Sequence, residues 1–198
     1  NVAVAGNVTL TTDAGNGVIN MGTLQQSAGD LILVTNGNGA ATVVNNAAID
    51  FGTSNVGGAL DVTASAGTIT QNGGALTVAG TSAFTTSTND QAITLSNTTN
   101  ALTGAVAFTT GGTTGNVVID NGTTGLDLAA STISGTLTAT GGASAGIVDS
   151  GNVAVAGNVT LTTDAGNGVI NMGTLQQSAG DLILVTNGNG AATVVNNA

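Results

Sequence analysis

The 198-residue chain carries ten aspartates and no Glu, Lys, Arg or His, a formal net charge of −10. That balance excludes the electrostatic route to nucleic acid, which needs Lys and Arg against phosphate, and it excludes a polybasic membrane patch. Apolar residues make up 41% of the chain and mean hydropathy is positive, which sets it apart from the weakly hydrophobic composition of disordered segments.

The first stretch in chain order, Asn1–Ala47, returns residue for residue as Asn152–Ala198, an offset of 151. Residues 1–151 therefore read as one full repeat unit and residues 152–198 as the start of the next, in a continuous shaft with no true domain boundary. The residue expected after Ala198 is Ala48, so the chain reads as a window onto a longer tandem array. Self-similarity at a fixed period is the mark of repeat architectures.

Within the unit, short apolar alternations follow one another: Val8/Leu10, Leu60/Val62, Leu76/Val78, Ile93/Leu95, Val106/Phe108 and Leu126/Leu128. Alternation with period two marks strands with one apolar face. Leu31-Ile32-Leu33-Val34 is apolar at every position and is expected to be a strand covered on both faces. Between these runs lie Asn16-Gly17, Asn36-Gly37, Asn38-Gly39, Asn72-Gly73 and Asn121-Gly122, residues that accept positive φ cheaply. Such a dipeptide serves a hairpin or a solenoid corner equally well. Helix formers are scarce among the Gly, Thr, Asn and Val that dominate, and no apolar run approaches the ~20 residues of a membrane helix.

A looser motif recurs inside the unit: an alternating strand opened by Gly, a Gly-rich corner, then an Ile/Val strand. Gly6–Thr11 with Val18-Ile19, Gly58–Thr63 with Ile69, Gly104–Thr109 with Val117–Ile119, and Gly135–Thr138 with Ile147-Val148 all follow it. Their uneven spacing implies six or seven coils per unit. Ordering a coil of ~22 residues costs ~1–2 kcal/mol per residue in backbone entropy, and its few inward Val and Leu return only ~1.5–3 kcal/mol each. One coil alone does not persist; stacked coils share ladders and a continuous core. The expected fold is all-β, a parallel β-solenoid. Its competitors are a string of Ig-like sandwiches, which ordinarily carry Trp, Tyr and Pro, and amyloid-like stacking. Pro, Trp, Tyr and Cys are absent here, and Phe51, Phe84 and Phe108 are the only aromatic residues.

The Gly-x-Leu-x-Val-x-Thr/Ala rhythm, the Asn-Gly corners and the near-identical long repeats resemble those of giant bacterial β-strand-repeat surface proteins, including filamentous-haemagglutinin-like adhesins. The resemblance implies a secreted or cell-surface fibre with a right-handed parallel β-helix shaft. Two departures stand out. The Pro-containing amino-terminal secretion motif of that family is absent, and the Lys and Arg such shafts usually carry are missing altogether.

Without His, Cys, Lys, Arg or Tyr, the reactive inventory is Asp carboxylates and Ser/Thr hydroxyls. Asp13, Asp30, Asp50, Asp61, Asp90, Asp120, Asp127 and Asp149 are spread along the unit, and only Asp120 and Asp127 lie near each other. Glycosidase chemistry needs a defined carboxylate pair, so no enzyme and no catalytic residue is expected. Asp61 and Asp127 read as outward strand positions, and Asp13, Asp90 and Asp149 as turn residues. No cofactor site is expected. Calcium is the alternative, because hard cations take Asp, Asn and carbonyl oxygens, but the Gly-Gly-x-Gly-x-Asp nonapeptide is missing and Asp13–Gly17 lacks a full ligand set. The triplets Thr9/Thr11, Thr68/Thr70 and Thr136/Thr138 are too irregular for an ice-binding ladder and read as outward Thr favoured by β propensity. Asn7-Val8-Thr9 and Asn97-Thr98-Thr99 match the glycosylation acceptor pattern.

The functional expectation is a structural extracellular filament that spaces, coats or tethers cells. Its partner would be itself, by stacking or lateral association, with contact to cell surface or matrix and no membrane insertion. The alternatives are the shaft of a large adhesin whose binding modules lie elsewhere, and a calcium-dependent surface assembly protein.

Overall fold

A computed structural model describes every residue except Ala14, Ala143, Ser144 and Ala165. All of its strand pairings are parallel. Parallel neighbours need a crossover and cannot be joined by a tight hairpin, so the sandwich alternative falls and the Asn-Gly dipeptides are corners. The chain winds about nine turns of a β-solenoid. Strands one turn apart are offset by 19 residues at the shortest (Ala41 on Leu60) and 24 at the longest (Ser82 on Val106). Val8 stacks on Leu31 and Leu31 on Phe51, and the column continues through Gln71, Leu95, Ile119 and Ala139 to Leu161. A unit therefore contains seven coils, the upper of the two expected values.

Alternation builds the core. Leu60, Val62, Leu76 and Val78 are buried while Asp61 between the first pair faces solvent. The inward residues form one continuous cluster along the shaft. Within it the three phenylalanines meet: Phe51 lies edge-on to Phe84 at 6.2 Å, and Phe84 stacks on Phe108 of the next turn at 5.8 Å. Such pairs add ~0.5–1.5 kcal/mol beyond their buried area.

Leu31–Val34 departs from expectation. Leu31 and Leu33 are fully buried, but Ile32 and Val34 are only half-buried on the outer side, so the strand is covered on one face. Its copy, Leu182–Val185, lies in the last described coil and is largely exposed. At the corners, Gly37, Gly73 and Gly122 take positive φ of 58°, 78° and 57°. Gly39 serves closeness instead, since a Cβ there would sit 2.1 Å from the Gly17 carbonyl oxygen one turn away. Among the described residues, no helix is long and apolar enough to cross a membrane.

Each turn lays down three short strands, but the faces they build change twice per unit. Leu31–Val34 bears two strands on its next turn, with Leu31 opposite Phe51 and Val34 opposite Asn55. As that face divides, the face made by Val2–Val4 and residues 24–26 ends. Three turns later Val106–Thr109 divides in the same way, with Val106 opposite Leu128 and Thr109 opposite Thr132. There the face of Ser54–Val56, Leu76–Val78 and Ala101–Leu102 ends.

Candidate functional site

A dividing or ending face leaves backbone groups without a strand opposite, and a buried unpaired group costs ~1–3 kcal/mol. The chain meets each case with a particular side chain. Where a face divides, a serine hydroxyl stands in the gap between the two daughter strands. Ser54 Oγ accepts from the Leu33 amide at 3.1 Å and donates to Gly52 O at 3.0 Å. Ser131 Oγ accepts from the Phe108 amide at 3.0 Å and donates to Ala129 O at 2.8 Å.

Where a face ends, an asparagine carboxamide replaces the missing peptide unit. Asn45 Oδ1 accepts from Gln26 N at 2.8 Å and Asn45 Nδ2 donates to Gln26 O at 2.9 Å. Asn121 treats Leu102 identically, at 2.8 and 3.0 Å, and also donates to Gly125 O at 2.8 Å. Both asparagines are fully buried. Asn196, the copy of Asn45, repeats the pairing on Gln177. A carboxamide has the donor and acceptor of a peptide group on one carbon, which suits Asn to this task.

A third device sits where one unit meets the next. Within the strand Ile170–Gln177 the register shifts between Met172 and Leu175, leaving the amides of Gly173 and Thr174 off the ladder. The Asp149 carboxylate accepts both, at 2.8 and 2.7 Å, and the Thr174 hydroxyl at 2.8 Å. Asp149 thus ends the strand Ile147–Asp149 and plugs a bulge, rather than forming the turn expected of it. Around it the joint is ordinary ladder: Ile147 on Ile170, Ser131 on Val153, Leu137 on Val159. No linker separates the units.

Amides also bind the corners. Gln71 and Asn100 pair through their carboxamides, with Asn100 Nδ2 donating to Gln71 Oε1 at 3.0 Å, while Asn100 Oδ1 accepts from Leu76 N at 2.8 Å. Gln26 Nε2 lies 3.0–3.2 Å from the carbonyl oxygens of Gly6, Ala28, Gly29 and Asp30. None of these roles has a local sequence signal, because each is set by which turn lies opposite.

The carboxylates are dispersed. Asp61 faces solvent as expected, whereas Asp127 is half-buried with Oδ1 covered. Asp120 and Asp127 lie on different strands, Val117–Asp120 and Leu126–Leu128. Across the ladder, Asp61 sits between Thr42 and Ala83, Asp50 beside Thr70, Asp120 beside Thr140, and Asp127 beside Val148. Like charges directly opposite are destabilising, and these pairings avoid them. Asp90 occupies a corner with φ of 62°, the one positive-φ non-Gly position among the described residues. The amides of Thr113 and then Thr114, one turn on, donate to its carboxylate at 2.7 and 2.8 Å and hold its pKa below the usual range. Ala14 of the Asp13–Gly17 loop lies outside the described residues. Among the described residues, no three His, Cys, Asp or Glu side chains converge as a metal site would require.

Two surface depressions of about 570 and 490 Å³ gather little chemistry: among the side chains that line them, only that of Asp13 is ionisable. The Thr-x-Thr triplets do not align into one array, but register creates a column that the triplets did not reveal. Thr63, Thr85, Thr109 and Thr132 stand on four consecutive turns. In the glycosylation pattern Asn97-Thr98-Thr99, Asn97 Oδ1 accepts from Thr99 and Asn97 Nδ2 donates to Gly73 O at 3.0 Å.

Comparison with known proteins bears on this arrangement in one place. A family model described as repeats of unknown function (DUF5649) matches residues 38–109, the stretch from Ala41–Asn45 to Val106–Thr109 that ends at the second face division. No curated protein and no solved structure matches the chain.

Proposed function

We propose that the chain is a section of a structural shaft: tandem units fused into one unbroken β-solenoid that forms an extracellular or cell-surface fibre. The observation that carries this reading is the joint at Ile147–Gln177, where the second copy docks on the first by the same ladder steps that stack coils within a unit. Units joined this way share a core and cannot swing as beads on a linker would. The placement outside the cell is supported by the resemblance to bacterial surface-repeat proteins. A chain with no Lys or Arg offers trypsin no site, and ladder-bonded backbone resists other proteases, properties that suit exposure. In the adhesin alternative the same shaft presents binding modules carried elsewhere.

The test is a series of proteins with one, two and three units, imaged by electron microscopy. Seven coils at ~4.8 Å each give an increment of ~34 Å per unit, with no change in width. Increments of a globular domain's length, or flexible joints between particles, would refute the shaft.

A further inference from the structure

Asn-Gly dipeptides carry an intrinsic reactivity that the fold either suppresses or permits. The glycine amide nitrogen can attack the asparagine Cγ, forming a C–N bond and closing a five-membered succinimide as ammonia leaves. Water then opens the ring at either carbonyl, giving aspartate or isoaspartate. No oxidant or cofactor is needed. The step requires a mobile carboxamide and a glycine amide that is not already donating.

The unit has five such pairs, and four are held. Asn16 Oδ1 accepts from the Asn38 amide at 2.8 Å. Asn36 Nδ2 donates to the Asp13 carbonyl. At Asn38-Gly39 the attacking nitrogen is engaged, because Gly39 N donates to Asn36 O at 3.0 Å. Asn121 is buried with three bonds on its carboxamide, and Gly122 N donates to Asp120 Oδ1 at 2.9 Å. Asn72-Gly73 differs on every count. Asn72 and Gly73 are exposed, and neither the Asn72 carboxamide nor the Gly73 amide makes a hydrogen bond among the described residues. A Cβ at Gly73 would meet nothing within 4 Å, so the corner has room to rearrange.

We infer that Asn72 is the unit's site of spontaneous succinimide formation, a modification site that adds one negative charge per unit with age. Isoaspartate there would put an extra methylene into the main chain between Gln71, which pairs with Asn100, and Gly73, whose carbonyl accepts from Asn97. The modification thus loosens a corner on the turn that carries Leu76–Val78.

The full chain is incubated in mildly alkaline buffer at body temperature, then quenched in acid, digested with pepsin and mapped by mass spectrometry. Asn72 converts well before Asn121, which lags by about 100-fold, the factor set by the bonds that must open before it can react. In urea all eight Asn-Gly sites of the chain converge, because all share the Asn-Gly sequence. The variant Asn72→Gln, altered only at an exposed corner, abolishes the early modification mapped to residues 71–74. Conversion of Asn121 as fast as Asn72 in the folded chain would overturn the assignment, as would a spread of rates that persists in urea.

Discussion

Replacing Asn121 by alanine tests whether a side chain can stand in for a strand. The carboxamide is fully buried and makes three bonds, two to the Leu102 backbone and one to Gly125 O. Its removal forfeits ~1 kcal/mol net for each bond and leaves the Leu102 amide and carbonyl facing a void, so the cost is about 3–5 kcal/mol after partial hydration of the space. Asn97→Ala provides the comparison, since Asn97 is half-buried at a corner where its bonds to Thr99 and Gly73 O are open to water, and its loss costs about 1 kcal/mol. Repeat arrays unfold non-uniformly, so the decisive assay is hydrogen exchange read at the Leu102 amide, supported by a urea midpoint. Asn121→Ala is expected to abolish protection at Leu102 and to lower the midpoint well below that of Asn97→Ala. If the Leu102 amide stays protected, or the two variants unfold together, the carboxamide is not completing the ladder.

Three further outcomes follow from the same geometry. Leu60→Asp places an unpaired charge in the core and unfolds the coils around it, whereas Asp61→Asn, on the outer face, shifts the urea midpoint little; equal damage would show that the register is wrong. Asp149→Ala frees the amides of Gly173 and Thr174 and costs about 2–4 kcal/mol at the unit joint; limited proteolysis should then cut near residues 172–175, and an unchanged digest would deny the plug. Asp90 has its folded pKa lowered by the Thr113 and Thr114 amides, so the stability it contributes is present above the ordinary value near 4 and is lost as pH falls through the folded value. Protection factors at Thr113 and Thr114, taken relative to intrinsic exchange at each pH, should fall in acid, and in Asp90→Asn that fall should vanish.

The winding was legible because its cause is local. Leu60-Asp61-Val62 states its own inward and outward faces, and 47 repeated residues announce an array. Leu31–Val34 misled because a four-residue apolar run has no alternation to show which side is covered; the outer positions Ile32 and Val34 are tolerated half-exposed. The number of coils was legible only to within one, since corners vary the offset between 19 and 24 residues. Ser54, Ser131, Asn45 and Asn121 were not legible at all. Each acts on a residue 19 to 23 positions away, and nothing distinguishes it from the other serines and asparagines until the turns are in register. The threonine column at Thr63, Thr85, Thr109 and Thr132 was hidden for the same reason.

The column that begins at Val8 has a long-range consequence. After seven turns it arrives at Leu161, which is the copy of Leu10 and not of Val8. Seven coils consume 153 residues while the sequence unit holds 151, so each unit starts two residues early on the perimeter, a lag of about 6.6 Å. With ~22 residues per coil, that is about one-eleventh of a revolution relative to the stacked ladder. In the tandem shaft proposed above, any mark fixed by sequence, such as the corner at Asn72 or the threonine column, would therefore precess around the axis. It would return to its starting side after about eleven such units, some 370 Å along the axis. An array of that length would present each feature in every direction in turn, as a slow helical stripe written by a two-residue mismatch.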